Sequence, residues 1–187
     1  MHQKKLIVLI GGSDLFSGMR GISKGTRIIR KALANEADEI IAVNYNYFLD
    51  FGRSLQNLHR QITNKKDYDK IIFYGYSKGG DVVLRLARLL KQTHQIDLLI
   101  TIDIANGPWS HKIDRHVPDN VRRNINVYQT KPNFPLRSYG MPAYTSGNVV
   151  IENVDVTNHL FKNTPVTHGN IENFMVPEVI EWIKKEA

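Results

Sequence analysis

Ser77 stands at the centre of Gly75-Tyr76-Ser77-Lys78-Gly79, with an apolar run, Lys70–Tyr74, before it and a helical pattern, Gly80–Gln92, after it. G-x-S-x-G on a sharp turn between strand and helix is the pattern of a nucleophile elbow, which holds a serine hydroxyl exposed above a sheet. The glycines have a physical task there. The turn is strained and crowded, so the residues two before and two after the serine must lack a Cβ for strand and helix to approach. The rival reading makes Ser77 an ordinary helix N-cap. The β run directly before it and the amphipathic helix directly after it favour the elbow.

A serine hydroxyl is a poor nucleophile unless a base takes its proton, and the base works best when a carboxylate orients it. In an elbow architecture the chain order is Ser, acid, His. Asp103 lies 26 residues after Ser77, at the end of the next apolar run, where ligands gather on a parallel sheet. Asp114, Asp119 and Asp155 compete with it, and an aspartate that merely closes a strand is its bland reading. Of the seven histidines, His168 in Pro165-Val-Thr-His-Gly-Asn170 and His159 in Asp155-Val-Thr-Asn-His-Leu160 are placed to be the base. A turn just before the last helix suits the reach back to Ser77, which favours His168. The developing oxyanion needs N–H donors. The amide of Lys78 is one, and the amide of Ser13 or Gly12, in the loop after the first apolar run, is the other.

Two further motifs exclude more than they suggest. Gly11-Gly12 matches neither G-x-G-x-x-G nor G-x-x-x-x-G-K-[ST], so no nucleotide cofactor is expected. His111 and His116 flank Asp114, but i, i+5 histidines in an irregular loop match no ligand pattern, so no metal is expected either.

These residues need a scaffold, and the hydrophobic periodicity supplies one. Apolar runs at Leu6–Ile10, Glu39–Asn44, Lys70–Tyr74, Asp97–Asp103, Asn124–Thr130 and Val149–Val156 read as strands. Helical patterns lie at Ser23–Ala34, Arg53–Thr63 and Gly80–Gln92, and a last helix runs over Pro177–Lys185 with proline at its start. The alternation predicts a three-layer α/β/α fold with a mostly parallel six-stranded sheet in the order 2-1-3-4-5-6. Right-handed crossovers then bring the Gly11–Asp14 loop beside the elbow. Two stretches, Ala105–Arg123 and Lys131–Asn148, lack a pattern and read as walls or a lid over a substrate cleft. Trp109 in the first, with Phe134, Leu136, Tyr139, Met141 and Tyr144 in the second, are candidates for lining an apolar acyl pocket beside Ser77, and Gly12 is a further candidate for substrate contact. Simple packing of the loop onto the domain is the alternative. On the pocket reading, each buried methylene adds up to about 0.8 kcal/mol, and specificity rises from acetyl towards medium-length acyl esters.

With 187 residues, 42% hydrophobic and 23% charged, the chain reads as a single soluble domain spanning residues 1–187. It has no cysteine, which removes disulfides and thiolate metal sites. The net charge of +7 invites a nucleic-acid partner. The cations are dispersed over helix faces opposite apolar stripes, however, as in Arg27, Arg30 and Lys31, so no nucleic-acid partner is expected. Leu6–Ile10 is too short for a signal peptide core or a membrane span. A cytoplasmic location is the default expectation, and the oligomeric state is open.

With these residues in place, the chain resembles the α/β-hydrolase superfamily, especially its small lipase- and esterase-like members. The resemblance runs from Leu6-Ile-Val-Leu-Ile-Gly-Gly12 through the elbow and Leu98-Leu-Ile-Thr-Ile-Asp103 to Thr167-His168. It implies a Ser77–His168–Asp103 triad that hydrolyses an ester, thioester or amide through an acyl-enzyme, with a small acyl substrate and no cofactor. Three departures stand out. Many relatives begin the first-strand loop with His-Gly, where this chain has Gly11-Gly12. Their acid usually follows one strand later, where this chain has Tyr128-Gln-Thr-Lys-Pro-Asn133 and no carboxylate. Their sheet also begins with two further strands. The other reading of the same residues is a catalytically silent α/β module that binds a ligand or protein at the cleft.

Overall fold

In a run such as Leu6-Ile7-Val8-Leu9-Ile10, successive side chains point to opposite faces, so a strand apolar throughout must be covered on both sides. The computed structural model, which describes residues 3–12, 22–45, 52–65, 67–132 and 137–186, shows that cover. Leu6, Val8 and Ile10 pack with Ile71 and Phe73 against Leu58 and Ile62 of one helix and Val83 and Leu86 of another. Ile7 and Leu9 pack with Ile72 and Tyr74 on the opposite side, against Ile29, Leu33, Met175 and Val179. The result is three layers.

The strands are β1 (Lys5–Gly11), β2 (Glu39–Asn44), β3 (Lys70–Tyr76), β4 (Ile96–Ile102), β5 (Val121–Tyr128) and β6 (Val150–Asp155). They pair in the order β2-β1-β3-β4-β5-β6, and every neighbouring pair is parallel. This is the order that the alternation predicts. Helices α2 (Arg53–Asn64) and α3 (Lys78–Leu89) cover one face, and α1 (Lys24–Ala32) and α4 (Ile171–Glu186) the other. No helix among the described residues is long and apolar enough to cross a membrane.

The differences from the sequence reading lie at the ends of elements. Strand β5 begins at Val121, three residues before Asn124, because Val121 pairs with Ile96 of β4. The small antiparallel pair β7 (Leu160–Phe161) and β8 (Thr164–Pro165) is too short to show a period. The last helix begins at Ile171, and Pro177 lies inside it instead of opening it. An interior proline removes an i→i−4 hydrogen bond at a cost of about 3 kcal/mol. Buried Ile171, Met175, Val176, Val179 and Ile183 pack against the sheet on both sides of it, and tertiary packing overrides the local signal.

Glu172, in the first turn of α4, ties the layers together. Its carboxylate is 3% exposed and accepts hydrogen bonds from the amides of Gly25 and Thr26, the hydroxyls of Ser23 and Thr26, and the phenol of Tyr74. It caps the start of α1 from another helix, supplying acceptors for the otherwise orphaned first N–H groups. Burial, then the charge of Glu172, pushes the Tyr74 phenol well above its ordinary pKa, so it remains a donor.

The approach of α3 to β1 is closer still. A Cβ on Gly79 would lie 2.2 Å from the carbonyl oxygen of Ile10, and one on Gly75 2.6 Å from the carbonyl of Gly79. Both obstacles are backbone, which yields less readily than a side chain. Gly79→Ala is therefore expected to cost roughly 3 kcal/mol, the upper part of the usual range for overpacked sites. Thermal unfolding checks this: Tm should fall by about 6–12 °C, and an unchanged Tm would refute the close packing.

Candidate active site

Ser77 is fixed by its backbone before its side chain does anything. Its N–H donates to the carbonyl of Ile102 at the end of β4 (2.9 Å), and its own carbonyl accepts from Gly80 (3.0 Å). The residue has φ 56° and ψ −125°, a left-handed conformation that costs a non-glycine residue of order 1–3 kcal/mol. The side chain makes no capping hydrogen bond to α3, which removes the N-cap reading. Its Oγ instead lies 2.9 Å from Nε2 of His168.

His168 sits in the turn before α4, buried to 7% exposure. Its Nδ1 is 2.7 Å from Oδ2 of Asp103. The ring stacks on Tyr76 with centroids 5.5 Å apart and planes 27° from parallel, while the Tyr76 hydroxyl donates to the His168 carbonyl. Tyr76 therefore fixes both the ring and the backbone of its partner. The variable position of the elbow pattern has a positioning task that the pattern leaves open.

Asp103 follows β4 and is fully buried, again with positive φ, 46°. Both its oxygens accept hydrogen bonds. Oδ1 accepts from the amide N–H of Gln129 (3.1 Å), and Oδ2 accepts from Gln129 Nε2 (3.1 Å) as well as facing His168. Gln129 follows β5, and from there it holds the Asp103 carboxylate at the end of the neighbouring strand. Gly140 closes over the same carboxylate: a Cβ there would be 2.2 Å from Oδ1. Arg115 is buried nearby and donates to the carbonyls of Ile104 and Ile113. Burial lowers its pKa from the ordinary value, and the charge of Asp103 opposes that shift.

The rival candidates have other partners. Asp114 pairs with Arg88, Asp119 with Lys91, and Asp155 accepts from Thr157. The His159 ring packs against Phe174, with centroids 6.1 Å apart. His116 lies against Tyr144 and within 2.9 Å of the Ser146 hydroxyl. Gly12 abuts the nucleophile position, since a Cβ there would lie 2.9 Å from Ser77 Cβ. Lys78 opens α3, so its N–H is among those without an intrahelical acceptor. Its side chain extends over the Tyr45 ring, 5.2 Å from the centroid. Ser13, Phe134 and Leu136 lie outside the described residues. Trp109 lines a cleft of about 640 Å³ together with Lys78, the chain neighbour of Ser77, whereas Ser77, His168 and Tyr139 have no part in that lining. Met141 and Tyr144 are exposed at 38% and 55%, and Tyr144 donates to Asp114.

A hydroxyl within hydrogen-bond reach of an imidazole, itself held by a buried carboxylate, can pass a proton as the oxygen attacks an electrophile. No family model and no curated protein matches the sequence. Solved structures do match the fold. Est1E from Butyrivibrio proteoclasticus is similar over 98% of this chain and 86% of its own, with a TM-score of 0.51 at 11% identity. One of the metagenome-derived lipolytic enzymes LipS and LipT is similar over 98% of this chain and 95% of its own, with a TM-score of 0.53 at 9% identity. Carboxyl esterase 2 from the mycorrhizal fungus Tuber melanosporum covers 98% of this chain with 77% of its own, with a TM-score of 0.53 at 12% identity. At such identities the likeness is one of backbone architecture, and activity has to be argued from the site. With its parallel sheet, strand order and elbow, the chain has the fold of the α/β-hydrolases.

Proposed function

We propose that this protein is a serine hydrolase that cleaves a carboxylic ester or thioester through an acyl-enzyme. The observation that carries the reading is the continuous contact from Ser77 Oγ to His168 Nε2 (2.9 Å) and from His168 Nδ1 to Asp103 Oδ2 (2.7 Å), at a positive-φ elbow. Asp103 accepts from Nδ1–H, which leaves the Nε2 lone pair facing Ser77. Ser77 Oγ bonds to the substrate carbonyl carbon as its proton passes to Nε2. The carbonyl oxygen becomes an oxyanion, received by the amide of Lys78 and that of Gly12 or Ser13. Collapse of the intermediate expels the alcohol or thiol, which takes the proton from His168. Water then attacks the acyl-enzyme by the same route, releasing the acid and restoring Ser77. Trp109, in the cleft that begins at Lys78, supplies apolar surface to the bound substrate.

A fluorophosphonate probe tests this directly. It should label the protein once, at Ser77, and hydrolysis of 4-nitrophenyl esters should be lost in step with labelling. A silent binding module of the same fold would neither label nor turn over.

A further inference from the structure

The cleft that starts at Lys78 is walled by charge. Along α3, Lys78, Asp81, Arg85 and Arg88 face it, and from the loop after β4 come Trp109, Lys112 and Asp114. From Lys78 to Arg88 this wall runs about 15 Å along the helix axis. Four cations face two carboxylates, and the carboxylates are both engaged. Asp81 pairs with Arg85 and Asp114 with Arg88, each at 2.9 Å. Lys78 and Lys112 have no carboxylate at ion-pair distance among the described residues; the Lys78 ammonium lies over the face of Tyr45. Arg88 is further held by the carbonyls of Asp114 and His116, which fixes the cationic wall. An uncharged acyl chain would leave these lysines without a counter-charge, whereas an anion placed between them would gain complementary charge in a cleft that Lys78, the residue after Ser77, helps to line.

Resting on the serine-hydrolase reading, we propose that the substrate is an anionic ester: one side of the bond carries a carboxylate or comparable anion that lies in this cleft between Lys78 and Lys112. Trp109, 57% exposed on the same wall, covers the apolar spacer between the anion and the ester. The cleft carries two aromatic residues, Trp109 and Tyr45, among its charges.

Two matched pairs of esters identify which side carries the charge. Mono-4-nitrophenyl glutarate against 4-nitrophenyl valerate probes an acyl-side anion, and 4-(acetoxymethyl)benzoate against benzyl acetate an alcohol-side one. In at least one pair the anionic member should show a kcat/KM about tenfold higher, which salt of about 0.5 M reduces by screening. Lys112→Glu should erase that preference, lowering kcat/KM for the anionic member to the level of its neutral counterpart or below. Binding to the Ser77→Ala protein reads the cleft without the chemistry. Monomethyl glutarate should quench tryptophan fluorescence where methyl valerate does not, and Trp109→Phe should remove the signal. Anion binding without turnover by the native protein would overturn the hydrolase reading, and with it an ester as the ligand. Turnover with no anionic preference in either pair, or a preference that survives Lys112→Glu, would overturn the anionic cleft alone.

Discussion

Replacing Ser77 by alanine should lower kcat for ester hydrolysis by about 10⁶-fold, the scale on which losing an activated serine removes its whole catalytic unit. The fold should persist. The hydrogen bonds that fix this residue, to Ile102 and from Gly80, are made by its backbone and survive the change. The Oγ contacts His168 and no capping group of α3. Ser77→Gly sharpens the test, because glycine adopts positive φ without the steric cost that serine bears at 56°. That variant should be equally inactive yet more stable than the native protein, by about 1 kcal/mol. A protein that gains stability as it loses activity has its strain at the site of its chemistry. Undiminished turnover by Ser77→Ala would remove Ser77 as nucleophile, and a destabilised Ser77→Gly would remove the strain argument.

The features that sequence made legible are those encoded by local pattern. Strands apolar throughout, alternating with amphipathic helices, fix the parallel sheet and its order, because a doubly covered strand has few other solutions. The elbow was legible for the same reason, with Gly75 and Gly79 standing where a Cβ would strike backbone. Chain order brought Asp103 and His168 into consideration, and the structure places both in line with Ser77. Features that depend on contacts between distant segments were not legible. Gln129 holds Asp103 from 26 positions away, Tyr76 holds His168 from 92, and Glu172 caps α1 from up to 149. Gln, Tyr and Glu at those positions carry no periodic or motif signal. The start of α4 was misread for a related reason: proline speaks locally for a helix start, and the burial that outweighs it is tertiary.

Asp103→Asn is the substitution in which geometry gives the clearest expectation, because the carboxylate has no position that tolerates an amide NH₂. If the NH₂ replaces Oδ2, it points a donor at His168 Nδ1 and at Gln129 Nε2–H. The imidazole must then accept at Nδ1 and carry its proton on Nε2, the tautomer that cannot take a proton from Ser77. If the NH₂ replaces Oδ1, it faces the backbone N–H of Gln129, and a fully buried donor meets another donor. The first arrangement costs catalysis, and stability through the donor set against Gln129 Nε2–H; the second costs stability but leaves an oxygen at Oδ2 to accept from Nδ1–H, so the productive tautomer is kept. A fall in kcat of about 10⁴-fold is expected, with His168 still beside Ser77. Nitrogen-15 NMR of the His168 ring separates the two arrangements by showing which nitrogen carries the proton. A loss of less than about tenfold, under 1.4 kcal/mol of barrier, would mean that Asp103 does not orient the base.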